Sequence, residues 1–358
     1  MTMHRGHYIA IAILSGLLLL AGCEKKFDLA TLPQQDATVD TAAAYVQLSP
    51  PYVGFTQPQD ILIGNDQLLY VADTRANRLV MMNLAGTVLS SRFMIHPISI
   101  AQDSRLDLLV GGEVVATNGD TVGAIFRIHL VSSSQDSAHR LDRARIDTVW
   151  REVARPHRRF PGITVFPDNV WLAVRTGYDN SSPIDPDARV LEFDRNDVFI
   201  TPLPAFITGG QSPTSINRPS AIASFPGVKD FVLTQSSEGV SYAAIWMRYE
   251  HTPDFEGWLT RFDPNNPTDF FKVGRYVQPE AVTIDKARRD VFIADAALDS
   301  VFKFNSRGAF KVESFGLKKS GNVMKQPTGL AFFSRILYVL DGQEGKIFRF
   351  TLTTDVPR

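Results

Sequence analysis

From Tyr45 onward, hydrophobic and polar residues alternate in short runs that are separated by Gly, Pro, Asn and Asp. Runs of about four to eight β-branched and aromatic residues, bounded by such turn residues, are typical of short β-strands. The stretch from Gln135 to Arg159 comes closest to a long amphipathic helix, but Pro156 and the clustered arginines weaken that pattern. The sequence therefore predicts an all-β domain over residues 45–358.

The same order of segments returns along the chain. The clearest copies are Gln57–Met82, Gln278–Phe304 and Gln326–Phe350, and weaker copies begin at His96, Phe160 and Arg218. Each unit opens with a proline, which fixes φ and lacks an N–H, and so suits the start of a strand rather than its centre. In the clearest copies the second strand ends in an aspartate, whose carboxylate can accept backbone N–H groups of a turn. The chain therefore contains six related units of several short strands.

These units resemble the NHL repeat, and the chain resembles the six-bladed β-propeller lipoproteins of Bacteroidota. The resemblance implies four-stranded antiparallel blades, which stack in a ring so that each blade covers its neighbours. In the alternative seven-bladed arrangement, Val131–Arg158 holds a further blade. We expect Ala44–Leu48 to close the ring as the outer strand of the last blade, beside Ile347–Leu352.

The first residues have the pattern of an export signal. Arg5 precedes an apolar run from Tyr8 to Leu20, and the small residues Ala21 and Gly22 lead to Cys23. This run is short for a membrane span and typical of a signal peptide. Leu20 to Cys23 resembles the lipobox of bacterial lipoproteins, and Cys23 is the one cysteine of the chain. An ordinary signal peptide with an unrelated cysteine is the alternative.

The resemblance implies a signal peptide over residues 1–22, a flexible tether over 23–44 and a lipid on Cys23. The protein would then lie in the cell envelope, held to a membrane by this lipid. Glu24 follows the cysteine, and the outer membrane is the expected destination by resemblance to lipoprotein sorting. The sequence is compatible with a position on either the periplasmic side or the surface side of that membrane.

Composition narrows the function classes. The net charge is −1 and charged residues make up 21%, so no global field favours nucleic acid. None of the histidines beyond the signal segment pair at ligand spacing, which argues against a zinc centre. We expect a monomer without a metal or another cofactor.

Units two to four are longer than the others, with predicted insertions at Glu113–Gly123, Gly177–Ala188 and Ser236–Trp258. In a propeller, loops between second and third strands lie on the same face as the loops that lead into each first strand. Loops on a rigid scaffold are where binding usually resides. The candidate binding residues on this loop-rich face are Arg175, Tyr178, Arg218, Trp246, Tyr249 and Trp258. Trp246 is equally compatible with burial and with ligand contact.

Two charged clusters on these loops allow more than one interpretation. Asp185-Pro186-Asp187 could hold calcium or form a plain turn, and the arginines from Arg155 to Arg159 could form an anion site or a solvated rim. At the predicted channel mouth we expect Gln59, Asp60, Ser99, Ser220, Glu280 and Thr328, with His96 and Arg218 beside them. Asp60 and Glu280 could perform acid–base chemistry or bind a metal, or they could line a hydrated channel.

Two functions are compatible with these patterns. The favoured hypothesis is a membrane-anchored, non-enzymatic binding protein that presents its loop-rich face to a peptide, a glycan or a protein of the envelope. The alternative is a metal-assisted hydrolase or lactonase that uses Asp60 and Glu280 in the channel. Related propellers include lactonases with a Glu, Asn and Asp metal site, a set that this sequence does not match residue by residue.

Overall fold

The computed structural model describes residues 43–131, 139–236, 239–316 and 323–356. The predicted signal peptide, most of the tether and Cys23 lie outside the described residues, so these features remain predictions. Within the described ranges, no helix has both the length and the hydrophobicity needed to cross a membrane.

Almost all regular structure in the described ranges is β-strand. The first strand is β1 (Tyr45–Val53). Blade 1 follows with β2 (Asp60–Ile63), β3 (Leu69–Asp73), β4 (Arg78–Met82) and β5 (Val88–Phe93). Blade 2 contains β6 (Ile95–Gln102), β7 (Leu108–Val115), β8 (Thr121–His129) and β9 (Arg145–Arg151). Blade 3 contains β10 (Arg159–Val165), β11 (Trp171–Thr176), β12 (Arg189–Phe193) and β13 (Phe199–Pro202).

A parallel pair, β14 (Ile207–Thr208) and β15 (Ser215–Ile216), leads into blade 4. Blade 4 contains β16 (Pro219–Ser224), β17 (Phe231–Gln235), β18 (Ala244–His251) and β19 (Glu256–Thr260). Blade 5 contains β20 (Pro279–Ile284), β21 (Val291–Asp295) and β22 (Ser300–Phe304), with isolated bridges from β22 to Phe310 and Phe315 in place of a regular fourth strand. Blade 6 contains β23 (Pro327–Phe333), β24 (Ile336–Asp341) and β25 (Lys346–Leu352). Short 3-10 turns lie at Leu141–Arg143, Asp269–Phe271 and Thr353–Asp355.

The ring closes through the first strand, as the sequence predicts. β1 pairs antiparallel with β25, with Tyr45 opposite Leu352 and Val53 opposite Lys346. The N–H of Thr353 also donates to the carbonyl of Ala44 at 2.9 Å. Blade 6 thus takes its outer strand from the other end of the domain, and this confirms the predicted closing device.

The described residues form six blades rather than seven. Residues 145–151, which could have belonged to a further blade, are β9 and pair with β8 as the outer strand of blade 2.

The repeated aspartates are architectural. Asp73, Asp295 and Asp341 end the second strands of blades 1, 5 and 6, and each is fully buried. Their carboxylates accept backbone N–H groups from the segment that leads into the same blade: Thr56 at 2.6 Å, Val277 at 2.7 Å and Lys325 at 2.6 Å. Buried acceptors with such partners fix the position of the first strand.

Candidate functional site

The first strands of all six blades surround a central cavity of about 600 Å³. Its middle is lined by aliphatic residues, among them Ile98, Ile163, Ile222 and Leu330. Its polar end lies where the first strands begin and is lined by Gln59, Asp60, Arg159, Thr176, Ser220, Glu280 and Thr328. We call this end the funnel.

The local backbone explains why these polar side chains reach the cavity. The pairing of first and second strands shifts register between Pro219 and Ala221 in blade 4, and the same shift occurs around Glu280 and Thr328 in blades 5 and 6. A β-bulge adds one residue to a strand and re-aims its side chain. The residue after the proline is therefore turned toward the channel in blades 4, 5 and 6, as expected for Ser220, Glu280 and Thr328. Gln59 has the same place after Pro58 in blade 1 and also lines the cavity, although the pairing of β2 with β3 shows no such shift.

Two of the predicted channel residues also join neighbouring blades. The hydroxyl of Ser220 donates to the carbonyl of Pro279 at 2.6 Å, and that of Thr328 donates to the carbonyl of Pro58 at 2.9 Å. Ser99 makes the same kind of bond to Phe160, but it is fully buried and does not line the cavity. His96 and Arg218 are not among the lining residues either.

Asp60 is the most perturbed carboxyl of the funnel. Its Oδ2 accepts the N–H of Ile100 in blade 2 at 2.7 Å, and its Oδ1 accepts the N–H of Ile61 at 2.8 Å. Burial outweighs these two stabilising bonds and raises the pKa of Asp60 from its ordinary 3.8 to about 7. Asp60 is therefore close to half-ionised near neutral pH.

Glu280 is the second carboxyl of the funnel. Its Oε1 accepts a hydrogen bond from Gln278 Nε2 at 2.7 Å, and burial raises its pKa. Asp60 and Glu280 lie on blades 1 and 5, which blade 6 separates.

Hydrogen-bond acceptors predominate in the funnel. The hydroxyl protons of Ser220 and Thr328 are engaged by backbone carbonyls, so lone pairs are what these groups offer to a ligand. The one cationic side chain of the funnel within the described residues is Arg159. It donates to Glu113 Oε1 at 2.6 Å and to the carbonyls of Pro156 and Arg158.

The other end of the cavity is crossed by hydrogen bonds between turns of different blades. Lys286 Nζ donates to Asn65 Oδ1 at 3.2 Å, and the N–H of Asn65 donates to Gln102 Oε1 at 2.6 Å. These turns connect first and second strands, and so lie opposite the loop-rich face.

On the loop-rich face, Arg175 does not point to solvent. It is 4% exposed, and its guanidinium donates to Glu152 at 3.1 Å and to Asp185 at 2.5 Å. Arg158 is 2% exposed and pairs with Glu152 and with the fully buried Asp187 at 2.7 Å. Arg175 is thus a buried structural residue rather than a ligand contact.

This ion network bears on the two charged clusters. The backbone bends at Asp185 and Asp187, and their carboxylates pair with the guanidinium groups of Arg158 and Arg175, so their role is structural. Arg158 is buried and is no part of a solvated rim. Together these pairs fasten residues 177–188 to the segment that leads into blade 3.

Tyr178 is a predicted site residue that is exposed on this face. Its side chain is 70% exposed, and its ring packs against His157 at 4.1 Å between centroids. His157 Nε2 in turn lies 2.6 Å from Asp187 Oδ2. Arg218, also exposed, directly precedes the first strand of blade 4.

The prediction was wrong for the remaining aromatic candidates. Residues 236–258 are not one long loop, because β18 and most of β19 lie within them. Trp246 is 2% exposed and stacks on Phe225 at 4.8 Å. Trp258 is 8% exposed and donates from Nε1 to the carbonyl of Lys229 at 2.8 Å. Both tryptophans belong to the core.

Tyr249 lies in β18 directly opposite Trp258 in β19, close to the turn that joins these strands. That turn lies on the face opposite the loop-rich face, because third and fourth strands meet there. The hydroxyl of Tyr249 bonds to Glu256, and its ring packs edge-on against Trp258 at 5.0 Å. Tyr249 therefore cannot act together with Tyr178 on one ligand.

Sequence reasoning missed Arg159 and Thr176 as funnel residues. They lie opposite each other in the pairing of β10 and β11. Thr176 is the last residue of β11, and Arg159 lies two residues before Pro161, so neither occupies the position directly after a repeat proline from which the other funnel residues were predicted.

The described residues include no group of three or more His, Cys, Asp or Glu side chains that could hold a metal ion. The funnel offers two carboxyls from separate blades and no histidine. The Glu, Asn and Asp set of metal-dependent propeller lactonases is therefore not reproduced in the part of the channel that the structure describes.

No protein-family model and no curated protein matches the sequence. Solved structures do match. A luciferin-regenerating enzyme aligns over 86% of this chain and 95% of its own, with a TM-score of 0.59 and 12% identity. The chain is a six-bladed β-propeller. A gluconolactonase from Xanthomonas campestris aligns over 87% of this propeller's chain and 97% of its own (TM-score 0.56, 12% identity). An auxiliary nutrient binding protein from Bacteroides thetaiotaomicron aligns over 84% of this chain and 70% of its own (TM-score 0.58, 11% identity). At these identities the likeness establishes the fold alone.

Proposed function

We propose that this propeller is a non-enzymatic binding protein that holds a small ligand rich in hydroxyl or amine donors in its funnel. The observation that carries the proposal is the central cavity of about 600 Å³ with acceptor groups gathered at one end. Small-molecule sites are concave and mostly apolar, with a few placed polar groups, and typically measure about 300–1,000 Å³.

The charge and hydrogen-bond pattern selects the ligand class. Asp60, Glu280, Ser220 and Thr328 offer acceptors, and Arg159 is already bonded to Glu113 and two carbonyls. A polyol, a sugar or a protonated amine would satisfy these acceptors, whereas an anionic ligand would face two carboxyls without a free cation beside them.

The finer cellular assignment rests on the sequence. We propose that the protein is an exported lipoprotein, of the NHL-repeat type by resemblance, anchored in the outer membrane through Cys23. A tether of about twenty residues would span roughly 25 Å as a random coil. That reach would let the loop-rich face turn away from the membrane toward an incoming sugar, peptide or envelope protein.

The test is a ligand panel applied to the full chain. Monosaccharides, polyols and primary amines are screened by thermal shift, and each stabilising compound is titrated calorimetrically against wild type, Asp60→Asn and Glu280→Gln. We expect at least one saturable ligand whose affinity falls about tenfold or more in both variants, since a lost charged hydrogen bond costs about 1.5–3 kcal/mol. The control is Asp254→Asn, an exposed residue in the turn between β18 and β19. A ligand that binds equally to both funnel variants, or a panel without any ligand, would contradict the proposal.

One observation favours the hydrolytic alternative. A carboxyl with a pKa of about 7 is suited to general-base work at neutral pH. If the channel were a metal-assisted lactonase site, the protein would hydrolyse gluconolactone faster than buffer, and both EDTA and Asp60→Asn would abolish the excess rate. The binding proposal predicts no rate above buffer.

A further inference from the structure

A second cavity lies between blades 5 and 6, on the face opposite the loop-rich face. It measures about 380 Å³, and we call it the lower pocket. Its lining combines aromatic and charged side chains: Tyr45, Phe292, Phe332, Phe333, Asp285, Lys286, Arg288, Lys303, Arg335 and Asp355. The funnel residues are not among them.

The apolar part of the lower pocket is built from rings. Phe292 of β21 and Phe332 of β23 stack with centroids 5.1 Å apart and planes 14° from parallel. Tyr45, the first residue of the closing strand, stands edge-on to Phe292 at 6.2 Å. Because offset stacked and edge-to-face arrangements are favourable, a flat ring of a ligand is the group that this wall accommodates best.

A buried ammonium group also lines the lower pocket. Lys303 is 3% exposed, and the carboxylate oxygens nearest to its Nζ are those of Asp290 at 3.4 Å and Glu313 at 3.6 Å. A charge-assisted hydrogen bond from nitrogen to oxygen is about 2.7–2.9 Å long, so both contacts are long. The ammonium group has three N–H donors, and one of them could donate a hydrogen bond to an acceptor placed in the pocket. Its position 5.7 Å from the ring centroids of Tyr45 and Phe292 puts the charge beside the aromatic wall.

Two cations of the lining, Lys286 and Arg288, have no carboxylate at ion-pair distance within the described residues. Four cations and two carboxylates line the lower pocket, and the carboxylates of Asp290 and Glu313 lie within 3.6 Å of Lys303. Of the cations, Arg335 pairs with Asp355 at 3.4 Å, and Lys286 bonds to the neutral amide of Asn65. Arg288 is exposed at the rim. An anionic group between Lys303 and Arg288 would gain two cationic neighbours.

We propose that the lower pocket binds a small aromatic carboxylate, with its ring against Phe332 and Tyr45 and its carboxylate near Lys303 and Arg288. This site is independent of the proposed function of the funnel. A ligand here would touch both the closing strand and blade 5, so its binding would also stabilise the closed ring.

The test uses indole-3-acetate as the probe and indole-3-acetamide as its neutral counterpart, each titrated calorimetrically into the full chain. We expect saturable binding of the acid with a Kd below about 1 mM, at least tenfold weaker binding of the amide, and a tenfold loss for the acid in Arg288→Ala. Arg195→Ala, at an exposed turn of blade 3, is the matched control and should bind as wild type does. Asp60→Asn should also leave this binding unchanged, which separates the lower pocket from the funnel.

Lys303→Met is the sharper variant, and we expect it to lose acid binding at least tenfold as well. If it fails to fold because Asp290 and Glu313 lose their partner, Arg288→Ala and Phe332→Leu decide the question. No saturable binding of the acid, equal affinity for acid and amide, or unchanged affinity in Arg288→Ala and Phe332→Leu would overturn the proposal.

Discussion

Replacing Asp60 by Asn should make the stability of the domain less dependent on pH. In the folded state burial raises the pKa of Asp60 from 3.8 to about 7. The folded carboxyl therefore holds its proton over a pH range in which the unfolded chain has already released it. A group with a raised folded pKa contributes stability below its unfolded value and loses that contribution as pH rises through the folded value.

The magnitude follows from the two pKa values. At about 1.4 kcal/mol for each pH unit between them, ionised Asp60 costs the folded state about 4 kcal/mol at pH 8. About 2–3 kcal/mol of this cost arises between pH 5 and pH 8. Asn is neutral throughout, but it gives up part of the hydrogen bonding to Ile61 and Ile100, which costs about 1 kcal/mol. The variant should therefore match wild type at pH 5 and exceed it by about 2–3 kcal/mol at pH 8.

Urea unfolding of both proteins at steps of half a pH unit from pH 5 to pH 8 measures the difference in their free energies of unfolding. The contributions of all other titrating groups cancel in this difference. Asp254→Asn should show no such trend. If the difference in unfolding free energy between wild type and Asp60→Asn stays constant within about 0.5 kcal/mol, burial does not raise the pKa of Asp60 in the folded state.

Three further changes test the architecture. Deleting residues 45–53 should lower the melting temperature by at least about 5 °C, because blade 6 loses its outer strand, and an unchanged melting curve would refute ring closure through β1. Asp187→Ala should cost about 3–5 kcal/mol in urea unfolding, because Arg158 keeps a buried charge without its closest partner; a loss below about 1 kcal/mol would show that the network is solvated. Trp258→Ala should cost about 3–5 kcal/mol through the cavity it leaves, whereas Tyr178→Ala should leave the unfolding midpoint nearly unchanged; the opposite order would put Trp258 at the surface.

The parts of the fold that local chemistry determines were predictable. The prolines of the repeats mark the starts of the first strands, and the aspartates mark the ends of second strands because their carboxylates fill the same turn in each blade. The closing strand was also predictable, since Tyr45–Leu48 has strand character but no unit of its own. The funnel positions of Gln59, Glu280 and Thr328 followed from the same repeat.

The errors concern pairings between distant segments. Arg175, near the end of a second strand, was predicted to contact a ligand, and its partner Glu152 lies in the connection between β9 and β10 with no sequence pattern that links them. The segment with Trp246 and Trp258 was interpreted as an insertion because unit four is longer than the clearest repeats. In a blade covered on both faces, however, aromatic residues of third and fourth strands are core residues.

The most direct test of the central claim is a crystal structure of the protein with a compound that stabilises it in the ligand panel. We expect ligand density in the funnel, with hydroxyl or amine groups within hydrogen-bond distance of Asp60 and Glu280. Density bound elsewhere on the propeller, with the funnel holding solvent alone, would contradict the proposed funnel site.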